Sequence, residues 1–535
     1  MGQDRRISVS RPKKVCYKFV TTQNQGAHPM RIIAFQPELC PALPVVVGNC
    51  DYQEFKTILL RIDELLHRSG LESDFVRLRL EASERELAQT AQLHGRRPRG
   101  SSPKDLARMA EHSVLALRCN LARTLIGGSY REFSRRLADS TLLQWFCGLS
   151  RLDVVRVPSK STLDRYGKLV PEQVLREVID RLNQAAATGA GGQALGLAQP
   201  LSLESLLLDT TCVPANIHFP VDWILLRDAA RTLIKGVAVI RRHGLRHRMG
   251  EPREFLRRVN RLCIEMTHSR RRADGRKHRK RILRLLKKLL KTIDGHARRH
   301  HDLLESRWQQ TDLRAGEVRQ ILSRLDNVRQ QLPAAIKQAH ERIIGGRQVA
   351  NADKVLSLYE PDLHVIVRGK AGAEVEFGNT LLLAEQSDGV IVDWRLVQDQ
   401  APSDSKFLKG SLARFSGVFN DRQPGAVVGD RGFDSAANRK QVEQAGIFNA
   451  ICPRSVTGLR ERMQEERFAV LQGRRGQTEG RIGIFKNGFL GRPVRSKRFI
   501  HRELHITWSV LAHNLWVVAR LPVADEERER RRTAA

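Results

Sequence analysis

Two short apolar runs, Leu206-Leu207-Leu208 and Gly425-Ala426-Val427-Val428-Gly429, lead into Asp209 and Asp430 and stand far apart in the chain. Runs this short read as buried strands ending in a carboxylate, since an amphipathic helix needs a longer period. From Pro220 to Ala350 the pattern between them is helical. A sheet that takes both strands must therefore close around a long helical segment, which requires a mixed α/β architecture.

The remaining periodicity fills in this frame. Val375–Glu385 and Val390–Val397 are strand-like and joined by Ser387-Asp388-Gly389, a hairpin signal. Helices are expected over Ser405–Phe419, Ser435–Ala445, Gly476 to about Phe485, and Glu503–Leu521, with a strand at Phe448–Cys452. Upstream, Phe55, Ile58, Leu59, Ile62, Leu65 and Leu66 follow helical spacing. A second helical block runs from Leu106 to about Leu182, and its Pro158–Leu163 stretch opens a short helix. A helix-turn-helix would set its reading helix there, although an ordinary helix start is the plainer reading.

Charge narrows the partner. The chain of 535 residues holds 92 Lys plus Arg against 58 Asp plus Glu, a formal net charge of +34. Arg241–His300 alone carries 22 basic and 5 acidic residues, half of the excess. Arg281, Arg284, Lys287, Lys288 and Lys291 face away from a stripe of Ile282, Leu285, Leu286, Leu289 and Ile293. Such a surface either stays solvated or tracks phosphates, and its local density favours phosphates. Nucleic acid is the expected partner, ahead of an anionic membrane surface. No apolar run is long enough to span a bilayer, and the basic start lacks a secretory signal pattern. Eight scattered cysteines without a C-x-x-C pair fit a reducing cytoplasm.

Strands ending in Asp209 and Asp430, set side by side, would bring two carboxylates to one edge. That donor set suits hard Mg²⁺, and a pair of such ions drives phosphodiester chemistry. Taken singly, each residue is as readily a turn cap. Asp434 and Asp404 read as caps of the helices that follow them.

Leu208-Asp209-Thr210-Thr211, then Gly429-Asp430-Arg431-Gly432-Phe433-Asp434-Ser435, then Arg475-x3-Glu479-x6-Lys486, in that order, closely resemble the DDE transposases of bacterial insertion sequences. The carboxy-terminal signature of that family is Tyr-x2-Arg-x3-Glu-x6-Lys, and this chain has Gln472 at the tyrosine position. Ser129–Glu132 through Trp145-Phe146, Val375–Gly378 and His513-Asn514-Leu515 extend the likeness over roughly residues 50–520.

The resemblance implies an α/β RNase H-like catalytic domain with a long basic helical insertion, preceded by an all-α DNA-binding domain. It divides the chain into a basic flexible arm (1–50), a helical DNA-binding domain (51–184) and a linker (185–200). The catalytic domain would take 201–222 and 350–521, the basic insertion 223–349, and a charged tail 522–535. Asp209, Asp430 and Glu479 are implied as catalytic metal ligands for two Mg²⁺ or Mn²⁺ ions. Arg475 and Lys486 would contact DNA, joined by Lys287, Lys288 and Lys291 on the basic segment. The implied function is metal-dependent cleavage at element ends and strand transfer. It would take place on terminal inverted repeats and target DNA, by a homodimer or larger oligomer at the bacterial nucleoid. A nuclease that cuts without joining and a catalytically decayed DNA-binding protein are the alternatives.

Overall fold

The first two strands, β1 (Val15–Thr22) and β2 (Ile32–Leu39), pair antiparallel. The computed structural model describes residues 15–22, 32–39, 41–93, 102–151, 154–370, 373–491 and 493–524, with 529 and 532. The described part of the expected flexible arm is thus a pair of strands and the segment 41–50 leading into α1; the rest of the arm and most of the charged tail lie outside the described residues.

Eight helices follow: α1 (Cys50–Arg68), α2 (Leu71–Leu93), α3 (Pro103–Ile126), α4 (Tyr130–Asp139), α5 (Thr141–Phe146), α6 (Lys160–Tyr166), α7 (Glu172–Ala186) and α8 (Gly189–Ala194). Polar side chains at Asn49, Ser102, Ser129 and Ser159 accept from first-turn N–H groups, which sets where four of these helices start. The short α6 turns Leu163 and Tyr166 into the core and leaves Lys160, Ser161 and Arg165 exposed.

This block does not form a core of its own. Leu59, Leu121, Phe133 and Ile179 share one continuous apolar cluster with Leu206, Leu382, Val427 and Trp508 of the sheet region. The expected linker 185–200 is likewise packed rather than free. It contains α8 and the buried Leu195 and Leu197, and Arg61 Nη2 donates to the Leu195 carbonyl at 2.7 Å.

Strand β3 (Ser205–Pro214) then leads into α9 (Asp222–Arg242), α10 (Pro252–His268), α11 (Gly275–Arg307) and α12 (Ala315–Ala339). These four helices enclose a second core that includes Leu226, Leu233, Val237, Val259, Leu286, Leu290 and Leu325. On α11 the expected stripe is wider and rotated: Leu285 is 49% exposed, while Leu283 and Leu290 are buried. A helix contacted by α9, α10 and α12 together must present more than one narrow face.

The sheet is completed by β4 (His364–Lys370), β5 (Ala373–Gln386), β6 (Ile391–Leu396), β7 (Ala426–Gly429) and β8 (Phe448–Ile451). Strand β5 pairs antiparallel with β3 on one side, and with β4 and β6 along successive halves of its other side. Strand β3 pairs parallel with β7, and β7 parallel with β8. Gly389, at φ 93°, makes the β5–β6 turn that Ser387-Asp388-Gly389 predicts. Helices α13 (Leu408–Val418), α14 (Ala436–Gln444), α15 (Val456–Arg462), α16 (Glu466–Ile484) and α17 (Phe499–Arg520) surround the sheet. Asn514 on α17 fixes the start of β6, accepting from the Ile391 N–H at 3.0 Å and donating to its carbonyl at 2.7 Å. No helix among the described residues is long and apolar enough to cross a membrane.

Candidate metal centre at the sheet edge

Asp209 does not end its strand. Strand β3 continues through Thr210, Thr211 and Cys212 to Pro214, held along its length by β5. What stops near Asp209 is the neighbour: β3–β7 pairing ends at Leu207 opposite Val428. Two further residues of the same register bring Asp209 level with Asp430, on the side the sheet leaves open. The Thr210 N–H donates to Asp209 Oδ1 at 2.7 Å.

Asp430 begins the turn that follows β7. Its Oδ1 accepts from the Gly432 N–H at 2.8 Å, and Phe433 anchors the turn by full burial. A Cβ on Gly432 would meet Asp404 Oδ2 at 2.5 Å and Asp430 Oδ1 at 3.0 Å, so only glycine leaves the space between those two carboxylates.

Helix α16 crosses the face of the sheet that carries Leu207, Asp209 and Thr211, which alternate onto one side. It starts at Glu466, well before the expected Gly476, because Phe468 packs with Leu207, Val428 and Ala450. Gln472, at the family's tyrosine position, donates to the Ala450 carbonyl at 2.5 Å and, more weakly, to that of Gly429 at 3.4 Å. The side chain therefore ties the helix to the strand ends beside Asp430. One turn on, Arg475 donates to Glu479 at 3.0 Å, an i, i+4 pair in which Glu479 stays 56% exposed.

These groups act on one another. Burial is the largest influence on Asp209 and pushes its carboxyl up to about 6; Asp430 and Glu479 push the same way, while the Thr210 N–H and Arg475 oppose them. These carboxylates nevertheless do not close to metal-holding distance: among the described residues, the group of three whose ligand atoms lie within 4.8 Å of one another is His301, Asp302 and Glu305.

Lys486 departs from its expected place on the DNA. It is 5% exposed, and its ammonium donates to Thr211 Oγ1 at 2.9 Å. It lies at the start of the π-helical turn Phe485–Leu490 that continues α16. Asp434 is also not a cap. Ser435 caps α14, and the buried Asp434 accepts from Arg439 at 2.6 Å and from the Arg454 N–H at 3.1 Å. Lys287, Lys288 and Lys291 lie on α11, away from the sheet; Lys287 is half-buried against His340, whereas Lys288 and Lys291 are exposed.

Asp404, expected as a helix cap, is not one: Ser403 precedes the turn that it opens. It opens a single 3-10 turn before α13, and its Oδ1 accepts from Thr210 Oγ1 at 3.1 Å. Burial raises its carboxyl above the usual range, opposed by Thr210 and reinforced by Asp430. The available signal was the position of Asp404, on a loop a few residues beyond the end of β6.

An antiparallel β6–β5–β3 half is joined to a parallel β3–β7–β8 half in a mixed α/β arrangement, with Asp209 and Asp430 where the two halves meet. Residues 379–515 match the family model described as a transposase DDE domain, a span that contains Asp430 and Glu479 and begins after Asp209. The match supports a DDE transposase. The chain is also 25% identical over 154 residues to a protein of Rhizobium meliloti described as uncharacterized protein ORF8 in the nfe locus. That similarity covers 27% of this chain and 68% of the relative. No solved structure matches with significance.

Proposed function

We propose that this protein is the DNA transposase of an insertion sequence, cutting at the element's ends and joining the freed 3′-hydroxyl to target DNA. The observation that carries the reading is the register of β3 beside β7, which sets Asp209 level with Asp430 where the two strands part, together with the transposase DDE family match over residues 379–515; Glu479 joins them in this reading from α16. All donors are carboxylate oxygens, which suits Mg²⁺ or Mn²⁺, and Gly432 leaves room beside them. Asp209, Asp430 and Glu479 would hold two such ions, which when bound activate the attacking oxygen and stabilise the leaving one.

The chain's own groups do the positioning. The Thr210 and Gly432 N–H groups orient Asp209 and Asp430, while Gln472 and the packing of Phe468 set the height of α16. Arg475 steadies Glu479 and offers positive charge to a phosphate at the open edge. Lys288 and Lys291 extend a basic surface for DNA. Two element ends require two sites, which a homodimer or larger oligomer supplies.

The test uses full-length protein, Mg²⁺ and a DNA fragment bearing the ends of the surrounding element. Nicks at the ends and joined products are expected. Glu479→Gln, Asp209→Asn and Asp430→Asn should each lower cleavage by about 100-fold or more, with end binding retained in a mobility-shift assay. Combining them should add little, since each alone disables the unit. Near-normal nicking by Glu479→Gln would remove the third ligand; nicks without joined products would make the protein a nuclease.

A further inference from the structure

Beyond the carboxyl ends of the parallel strands β7 and β8 lies a cleft of about 710 Å³. That volume suits a group the size of a nucleotide, and the carboxyl ends of parallel strands are a common place for ligands. Three arginines from three elements line it: Arg439 of α14, Arg454 of the loop after β8, and Arg462 at the end of α15.

Each arginine is anchored. The buried Asp434 organises two of them, one oxygen accepting from Arg439 Nη1 at 2.6 Å and the other from the Arg454 N–H at 3.1 Å. Arg454 Nε also donates to the Arg431 carbonyl at 3.3 Å, which ties this side chain to the residue next to Asp430. Arg462 donates to the Asn449 carbonyl at 2.6 Å, pairs with Glu465 at 3.4 Å and lies over the rings of Phe448 and Phe468. Arg454 keeps its terminal nitrogens unspent: among the described residues they have no partner, and the side chain forms no ion pair within 4.0 Å. Of the acidic groups on the cleft wall, Asp434 is taken up by Arg439, which leaves Glu461 facing the guanidiniums. A guanidinium fixed at one edge offers its other edge as a planar fork, which matches phosphate and loses little freedom on binding it.

We propose that this cleft is a phosphate-binding subsite, in which Arg439 and Arg454 hold the backbone of a DNA strand a few nucleotides from the bond that is cut. The inference rests on the reading of the Asp209–Asp430 edge as the place of cleavage and adds the surface that holds the neighbouring phosphates. The strand comes from the element end or from the target, since both offer the same phosphodiester.

The experiment measures binding of full-length protein to element-end duplex over a salt series without divalent metal, then nicking and joining once Mg²⁺ is added. Arg439→Gln combined with Arg454→Gln should weaken end binding about 10-fold and flatten the slope of log K against log salt by about 2. Arg460→Gln removes an exposed charge of α15 outside the cleft and should stay within about threefold of the parent. Single methylphosphonates beside the mapped nick then locate the contact: one position should weaken the parent and leave the double variant unchanged. Normal end binding with reduced joining assigns the cleft to the target strand. Unchanged binding, slope and joining in the double variant overturn the subsite; so does equal weakening by Arg460→Gln, which would mark diffuse attraction. Failure of the transposase reading looks different: the parent binds DNA with the expected arginine dependence yet makes no nick. Arg454→Gln alone, at an exposed position, repeats the slope test with a change of about 1 if the double variant does not fold.

Discussion

Glu385 lies on β5 opposite Leu207, on the same face as Asp209, and is 5% exposed beneath α16. Burial dominates its behaviour and lifts its carboxyl to about 7; Arg481, 3.6 Å away, only partly opposes this. Between the ordinary value of 4.5 and about 7, the folded protein keeps a proton that the unfolded chain has released. Stability therefore falls as pH rises through that window, by up to about 3 kcal/mol once Glu385 is ionised. Glu385→Gln imitates the protonated form and should raise the melting temperature at pH 8. The gain should shrink as pH approaches 4.5. A melting temperature equal to the parent's at pH 8 would show that Arg481 already neutralises the site.

At the scale of elements, α17 carries two imidazoles that the fold holds neutral, with values pressed down to about 4 chiefly by burial. His505 lies between two fixed partners: its Nε2 faces the Leu490 carbonyl at 3.1 Å and its Nδ1 faces Arg123 Nη2 at 3.3 Å. The neutral ring with its proton on Nε2 satisfies both, whereas a second proton on Nδ1 would oppose the guanidinium. His513 is enclosed by Phe485, Phe489 and Trp516. From pH 6.5 down to about 4 the unfolded chain takes up protons that the folded rings refuse, so stability is lost on acidification. Urea unfolding at pH 7.5 and 5 should show that loss, and His505→Gln should lessen it. An identical loss in the variant would assign the acid sensitivity to other groups.

Legibility also varies by element. The β5–β6 hairpin was readable because Gly389 supplies the positive φ its turn needs. The full length of β3 was not, since Asp209, Thr210 and Thr211 put polar residues in mid-strand. Helix α16 was read too short because Gly473, Gly476 and Gly480 blur its pattern, and packing of Phe468 outweighs their low helix propensity. Asp209, Asp430 and Glu479 are picked out by the order of the family motifs along the chain. Asp404 reads as a cap, and only the folded loops bring it to Thr210 and Gly432.

For the molecule as a whole, charge and chemistry occupy different bodies. The α9–α12 bundle has its own core, leaves the chain a few residues after the strand that carries Asp209, and returns just before β4. Its Arg241–His300 stretch carries half the net positive charge, while the buried side of α11 is apolar: Ile282, Leu283, Leu286, Leu290 and Ile293. Like charges on one helix repel, so a surface kept this basic gains from a polyanion laid along it. If DNA is that polyanion, each neutralised phosphate contributes about −0.9 to the slope of log K against log salt. Lys287 is partly withdrawn to His340, which leaves Lys288 and Lys291 as the free contacts of the lysine cluster. Lys288→Glu with Lys291→Glu should therefore flatten the slope for element-end DNA by about 2, with the bundle still helical by circular dichroism. Adding Lys287→Glu should flatten it little further. A slope unchanged by the double substitution would make this side of α11 a solvated face and move the DNA path to the other helices of the bundle.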